Sequence, residues 1–142
     1  MKPYRVLIVE AHPFQLEYVL KVFNEVGGFT VDTVRDGVVA LECLARHAYD
    51  LLLCDLLMPI MDGVQLIQKV AALEQPPALA LVSAAPRRML VSAELAAKNL
   101  GLSVLGLIAK PVETDALRHL KARLAVARLN AESACVHTLN ID

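Results

Sequence analysis

The sequence predicts an α/β domain built on a doubly wound parallel sheet, in which five strands alternate with five helices that cover both faces of the sheet. Short, uninterrupted apolar runs, as at residues 6–9 and 51–54, indicate strands that are buried on both sides. The segments that follow such runs carry apolar residues three or four positions apart, which is the spacing of a helix that buries one face. Because each strand leads into a helix over a short connection, parallel crossovers are expected.

The first two strand-helix units can be placed by their boundaries. Residues 4–9 form the first strand, which ends at Glu10, and Pro13 suits the first turn of a helix that Gly27-Gly28 stops. Residues 29–34 alternate apolar and polar side chains, as expected of a strand nearer the sheet edge, and Asp36-Gly37 opens the second helix. The apolar positions of these two helices are Leu16, Val19, Leu20, Phe23, Val26, Val38, Leu41, Leu44 and Ala45.

The third unit is the centre of the predicted sheet. Its strand spans residues 49–54 and stops at Asp55, a carboxylate whose burial is costly unless it faces a crevice. Met58-Pro59 disfavours an immediate helix, and Asp62-Gly63 supplies turn residues before a helix that ends near Glu74. The alternative for Asp55 is an ordinary turn role, since aspartate is common in turns.

The last two units follow the same plan. Residues 78–82 form the fourth strand, which ends at Ser83, and a helix of about four turns follows and closes at Gly101. Residues 103–109 form the fifth strand with Lys110-Pro111 at its tip, and the last helix starts from Val112. The apolar positions of the last three helices are Val64, Ile67, Val70, Ala71, Leu90, Val91, Leu95, Leu100, Leu117, Leu120, Leu124 and Ala127. The helical spacing of apolar residues is lost after about residue 130. We therefore expect a domain at residues 1–130 and a tail or the start of a linker at residues 131–142.

Composition narrows the classes of function. The 142 residues suffice for one domain, and 14 basic against 15 acidic residues without a basic cluster give no support to nucleic-acid binding. No apolar stretch reaches the length of a membrane span, and the N-terminus lacks the pattern of a signal peptide, so we expect a cytoplasmic protein with no membrane partner. An apolar fraction of 56% fits a sheet covered on both sides and leaves open a homodimer. Three cysteines without CxxC spacing favour free thiols, two of them buried, over a disulfide or zinc site.

Four polar side chains end four of the strands: Glu10, Asp55, Ser83 and Lys110. In a parallel sheet these ends share one edge, so the four residues should converge on one crevice. Carboxylates can hold Mg²⁺, a lysine and a hydroxyl can bind phosphoryl oxygens, and a carboxylate can act as the nucleophile that accepts the phosphoryl group. Each residue alone is more often structural, and it is the ordered set that indicates phosphoryl chemistry.

With these residues the chain resembles the receiver domain of bacterial two-component response regulators. The resemblance covers residues 4 to about 128 and depends on residues 6–10, on Asp55 with Met58-Pro59 and Asp62-Gly63, on Ser83-Ala84 and on Lys110-Pro111. It implies a flavodoxin-like fold with strand order 2-1-3-4-5. The implied activity is limited to self-phosphorylation and dephosphorylation. The implied partners are a sensor histidine kinase or phosphotransfer protein and an output domain, either C-terminal or separate.

The resemblance also assigns roles to residues. Asp55 would be the phosphoacceptor, Ser83 and Lys110 would bind the phosphoryl oxygens, and Glu10, Asp55 and the backbone carbonyl of Leu57 would hold Mg²⁺. A finer similarity, in residues 10–15 and 99–106, is to receivers that precede EAL-type cyclic-di-GMP phosphodiesterase domains, although no such output domain is present in this sequence.

Two positions depart from the family pattern. Ala11 stands where receivers carry a second acid that contacts Mg²⁺, so a weakened metal site is expected. His12 next to it is a nitrogen donor, which Mg²⁺ disfavours, and is expected to serve the start of the helix. Leu107 stands where many receivers carry an aromatic residue that changes rotamer, so any switch must use Ser83 and the loop after it.

Ala11 leaves a second function open, a pseudo-receiver that acts as a protein-interaction domain with impaired phosphoryl chemistry. A flavodoxin-like nucleotide or flavin binder is disfavoured, because the loops lack a glycine-rich phosphate cradle.

Overall fold

The domain is a five-stranded parallel sheet between two layers of helices. A computed structural model describes residues 2–58 and 60–141 of the chain, and side chains as far as residue 131. The elements in chain order are β1 (Tyr4–Val9), α1 (Pro13–Val26), β2 (Phe29–Val34), α2 (Gly37–Arg46), β3 (Leu51–Asp55), α3 (Gly63–Ala71), β4 (Ala78–Ser83), α4 (Arg87–Asn99), β5 (Val104–Ala109) and α5 (Thr114–Ile141). All pairs are parallel and the strand order is β2-β1-β3-β4-β5, which confirms the predicted fold.

The register of the strands aligns their carboxyl ends. Val9 pairs with Cys54 across β1 and β3, Asp55 pairs with Val82 across β3 and β4, and Ser83 pairs with Ala109 across β4 and β5. Because the strands are parallel and end at the same level, the side chains at their tips share one edge of the sheet.

Two apolar cores flank the sheet, because successive strand side chains point to opposite faces. One core joins strand residues such as Ile8 and Leu53 to Phe23 of α1 and Leu120 of α5. The other joins strand residues such as Leu52 to side chains of α2, α3 and α4. Burial of each large aliphatic side chain contributes about 1.5–3 kcal/mol, and every residue of the central strand is buried.

The observed boundary of β3 corrects the predicted one. The strand begins at Leu51 rather than Tyr49 and includes Asp55. Tyr49 and Asp50 lie before the ladder, where the Tyr49 hydroxyl donates to Asp32 at 2.6 Å and the Asp50 carboxylate accepts from the Arg5 N–H at 2.8 Å. These side-chain contacts lie just before the paired residues of the strand. The prediction from the apolar run alone therefore started the strand two residues too early.

The buried face of α4 also differs from the predicted one. Leu90, Ala93 and Ala97 pack against the sheet, whereas Val91 and Leu95 are exposed. Alanine allows the helix to approach the sheet closely. The prediction counted only the larger apolar residues and therefore missed the two alanines of the buried face. Five other positions in the apolar pattern are also exposed: Val38, Ala45, Val64, Leu100 and Ala127.

The last helix continues past the predicted domain boundary. α5 begins at Thr114, two residues after the predicted start, and its backbone remains helical to Ile141. The predicted tail is therefore helical over residues 131–141, Asp142 lies outside the described residues, and the division at residue 130 stays a prediction.

The described helices include none that is both long enough and apolar enough to cross a membrane. Of the three cysteines, Cys43 is partly buried and Cys54 is fully buried, both as free thiols, and the Cys135 side chain lies outside the described part. Burial raises the pKa of the Cys54 thiol to about 12, so this thiol stays protonated at neutral pH.

Candidate functional site

Three of the four predicted strand-end residues meet at one point. The Lys110 ammonium donates to Glu10 Oε1 at 2.8 Å and to Asp55 Oδ2 at 2.6 Å, across sequence separations of 100 and 55 residues. The two carboxylates are almost fully buried, and the Lys110 side chain is 16% exposed. The cluster therefore brings two carboxyl groups and one ammonium group together in a partly desolvated pocket.

Asp55 is held on both of its oxygens. Oδ2 accepts from Lys110, and Oδ1 accepts from the backbone N–H of Leu57 at 3.0 Å. The turn that follows is fixed by a capping box, in which Asp62 and Gln65 each accept from the other's backbone N–H. Gly63 lies against the tip of β3, where a Cβ atom would come within 2.7 Å of the Leu56 Cα. The start of α3 thus requires a residue without a side chain, and this close contact fixes the loop beside the Asp55 carboxylate.

Glu10 is the electrostatically strained member of the cluster. Its pKa is raised from 4.5 to about 7, first because burial penalises the carboxylate and then because Asp55 lies beside it, while Lys110 acts in the opposite direction. Its Oε2 atom is buried and has no hydrogen-bond partner among the described residues. Glu10, Asp55 and Lys110 line a small cavity of about 20 Å³, which has room for one water molecule.

Lys110 remains charged in this setting. Burial lowers the pKa of its ammonium, but the hydrogen bonds to Asp55 and Glu10 and the charges of both carboxylates outweigh burial, and the net direction is upward. A permanent positive charge at this edge can balance the two carboxylates or the oxygens of a phosphoryl group.

Ser83 and Leu57 lie at the same edge but outside the ionic contacts. Ser83 is fully buried at the end of β4, and its hydroxyl oxygen accepts from the Ala85 N–H at 2.9 Å. The Lys110 N–H donates to the Ser83 carbonyl at 3.0 Å, which ties the tip of β5 to the tip of β4. Leu57 contacts Asp55 through its N–H, and the predicted role of its carbonyl as a metal ligand stays a prediction.

One residue of the site was missed by sequence reasoning. The side-chain oxygen of Gln15, in the first turn of α1, accepts a hydrogen bond from the Lys110 ammonium. Its position after Pro13, where a crossover helix begins at the carboxyl edge of the sheet, could have identified it as a neighbour of the strand tips. His12, by contrast, is the exposed N-cap residue of α1, as expected for a residue at the start of that helix.

The site offers oxygen ligands that suit a hard cation, but few of them. Glu10 and Asp55 provide carboxylate oxygens, which Mg²⁺ prefers, and the buried Oε2 of Glu10, which has no hydrogen-bond partner among the described residues, is available as a metal ligand. No group of three or more His, Cys, Asp and Glu side chains that could hold a metal is found within the described residues. Mg²⁺ bound here would therefore depend on two carboxylates, backbone oxygen and water.

Comparison with known proteins agrees with this geometry. A family model described as "Response regulator receiver domain" matches residues 6–121. The chain is 30% identical over 113 residues to the chemotaxis protein CheY of Treponema pallidum, which covers 78% of this chain and 75% of that protein.

Two further similarities extend the comparison. A protein-glutamate methylesterase/protein-glutamine glutaminase of Myxococcus xanthus is 31% identical over 139 residues, which cover 96% of this chain but only 38% of that protein. A sensor protein from Polaromonas sp. JS666, known from a crystal structure, superposes with a TM-score of 0.73 and 29% identity over 88% of this chain and 98% of that one. The shared region thus also occurs as part of a longer protein.

Proposed function

The chain belongs to the response regulator receiver domain family of two-component signalling, and we propose that Asp55 is the residue on which it is phosphorylated by a histidine kinase or phosphotransfer protein. The observation that carries the proposal is the position of Asp55, buried at the tip of the central strand with Lys110 Nζ 2.6 Å from its Oδ2. The family match supports the class of reaction, and the contacts of Asp55 support the choice of residue.

In the proposed reaction an Asp55 oxygen attacks the phosphorus of the donor. A bond forms between that oxygen and phosphorus, the bond from phosphorus to the leaving group breaks, and its electron pair stays with the leaving group. Acetyl phosphate releases acetate, whereas the imidazole of a phosphohistidine takes up a proton from water. The two hydrogen bonds to the Asp55 carboxylate fix its orientation before the donor arrives. Lys110 balances the charge of the transferred oxygens, and the Ser83 hydroxyl, which accepts from the Ala85 N–H, keeps its own O–H available to donate to one of them.

Mg²⁺ is the cofactor that the family implies, and when bound it would neutralise charge on the phosphoryl oxygens. Glu10, Asp55 and the Leu57 carbonyl are the groups that would hold it. Because Ala11 supplies no carboxylate, we expect weaker binding than at a pocket with three acids.

An apolar surface beside the site is suited to a protein phosphodonor. Phe14 is 84% exposed, and with Tyr18 and Pro111 it lines a cavity of about 480 Å³ that also reaches Lys110. An exposed aromatic residue on a cavity that reaches Lys110 indicates a surface that a partner covers during transfer. The output domain, a homodimer and a cytoplasmic location remain part of the proposal.

One observation favours a second candidate, an interaction domain with impaired phosphoryl chemistry. Lys110 already neutralises one of the two carboxylates, so the pocket attracts Mg²⁺ less strongly than its acid count suggests. The experiment is incubation of the chain with acetyl phosphate and Mg²⁺, followed by intact mass measurement. The proposal expects a single phosphoryl adduct that Lys110→Ala greatly reduces, whereas the absence of an adduct on the wild-type chain would favour the second candidate.

A further inference from the structure

The Lys110 ammonium contacts three oxygens from three different elements. Glu10 Oε1 and Asp55 Oδ2 lie 2.8 and 2.6 Å from Nζ, and the side-chain oxygen of Gln15 is the third acceptor. A lysine ammonium has three N–H donors and no acceptor, so these three oxygens satisfy it completely. Two of the three acceptors belong to the proposed phosphorylation site, and the third belongs to α1.

We propose that Gln15 is a positioning residue, which holds the Lys110 ammonium beside Asp55 and so prepares it to bind the transferred phosphoryl group. The inference rests on the proposed function, because the benefit of a fixed Lys110 depends on phosphoryl transfer at Asp55.

The chemistry of an amide suits this position. The N-terminus of α1 carries a partial positive charge that disfavours a nearby cation, and its first turn contains no acidic residue to offset that charge. The Gln15 oxygen accepts from Lys110 without adding negative charge to the pocket that Glu10, Asp55 and Lys110 share. A further carboxylate would repel the anionic phosphodonor.

The contact also explains how Lys110 can change partners without leaving the pocket. When a phosphoryl group attaches to Asp55, the ammonium exchanges a carboxylate oxygen for a phosphoryl oxygen. The hydrogen bond to Gln15 is independent of that exchange, because Gln15 comes from a helix and not from a strand tip. Both Gln15 and Lys110 line the cavity of about 480 Å³ beside α1, so loss of this bond removes an acceptor on the cavity side and leaves the ammonium with its two carboxylate contacts.

The test compares Gln15→Leu, which removes the acceptor, with Gln15→Glu, which keeps an acceptor at the same reach. Gln68→Leu, on the exposed side of α3, is the matched control. The first measurement, without phosphodonor, is the exchange of the Lys110 ammonium protons with water by NMR, with the signal assigned through Lys110→Arg. The second is the rate of phosphorylation by acetyl phosphate with Mg²⁺, and thermal melts with and without Mg²⁺ verify the fold and report metal binding.

We expect Gln15→Leu to speed ammonium exchange and to slow phosphorylation by about threefold to tenfold, since one hydrogen bond that positions Lys110 is lost while its two carboxylate contacts remain. Gln15→Glu should keep the slow exchange, and Gln68→Leu should match the wild type in both measurements. Unchanged exchange in Gln15→Leu would overturn the positioning role. If Gln15→Leu instead reduced the Mg²⁺-induced rise in melting temperature and left the exchange unchanged, the positioning role would also be overturned, because Gln15 would then act on the metal. A wild-type chain that shows no phosphorylation, but whose exchange still depends on Gln15, would overturn the proposed function and leave the contact established.

Discussion

Replacement of Glu10 by glutamine should stabilise the metal-free domain at neutral and higher pH. The pKa of Glu10 rises from 4.5 to about 7 on folding, chiefly because its carboxylate is buried. Between these two pH values the folded state keeps a proton that the unfolded state has released. Stability therefore falls as pH rises through this interval, since the folded state binds more protons.

The size of the effect follows from that interval. About 1.4 kcal/mol for each pH unit, over the range from 4.5 to about 7, amounts to about 3 kcal/mol. Glutamine cannot ionise, it retains an oxygen that can accept from Lys110, and its amide can donate to Asp55. The difference in unfolding free energy between Glu10→Gln and the wild type should thus be small near pH 5 and approach about 3 kcal/mol at pH 8.

The assay is urea unfolding followed by circular dichroism at pH 5 and pH 8, with a chelator present to exclude Mg²⁺. Circular dichroism is suitable because the chain has no tryptophan. Glu17→Gln, which removes an exposed carboxylate from α1, is the control for the change in net charge. A wild-type stability that does not fall between the two pH values, or an equal gain in Glu17→Gln, would refute the assignment of the strain to buried Glu10.

Three other changes test separate parts of the site. Gly63→Ala should lower the unfolding free energy, measured in urea, by about 1–3 kcal/mol, because the added Cβ would meet the β3 backbone. The control is Gly37→Ala, which should cost less because its Cβ would first meet the flexible Met61 side chain, and equal costs would contradict the contact at Gly63. Ala11→Asp should increase the Mg²⁺-dependent rise in melting temperature, since it adds a charged oxygen ligand, and equal rises in both proteins would count against a metal site here. Ser83→Ala should slow phosphorylation by acetyl phosphate about tenfold, because a phosphoryl oxygen loses a donor, and an unchanged rate would remove Ser83 from the site.

The sequence predicted the sheet because apolar runs and turn residues act locally. β1 and β2 have the predicted bounds, since a continuous apolar run defines the first and an alternation of apolar and polar residues defines the second. The convergence of Glu10, Asp55 and Lys110 follows from topology alone, because parallel strands place their carboxyl ends at one edge. The prediction was wrong where side-chain volume decides, as on α4, whose buried face depends on Ala93 and Ala97.

Contacts between distant side chains could not be predicted in the same way. The hydrogen bond between Gln15 and Lys110 joins residues 95 positions apart and depends on how α1 crosses the tip of β5. The hydrogen bond that the Ser83 hydroxyl accepts from the Ala85 N–H could not be predicted either, and the expected binding of a phosphoryl oxygen by Ser83 stays a prediction. Both contacts depend on rotamers and helix placement, which no sequence period reports.

The most direct test of the central claim is identification of the phosphorylated residue. After incubation with acetyl phosphate and Mg²⁺, borohydride reduces an aspartyl phosphate to homoserine, and peptide mass spectrometry then locates the modified position. We expect homoserine at position 55, with none in the Asp55→Asn variant, which should remain folded because asparagine keeps the shape of the side chain. Homoserine at Asp62 or Asp50 instead, or the same yield in Asp55→Asn, would contradict Asp55 as the phosphoacceptor.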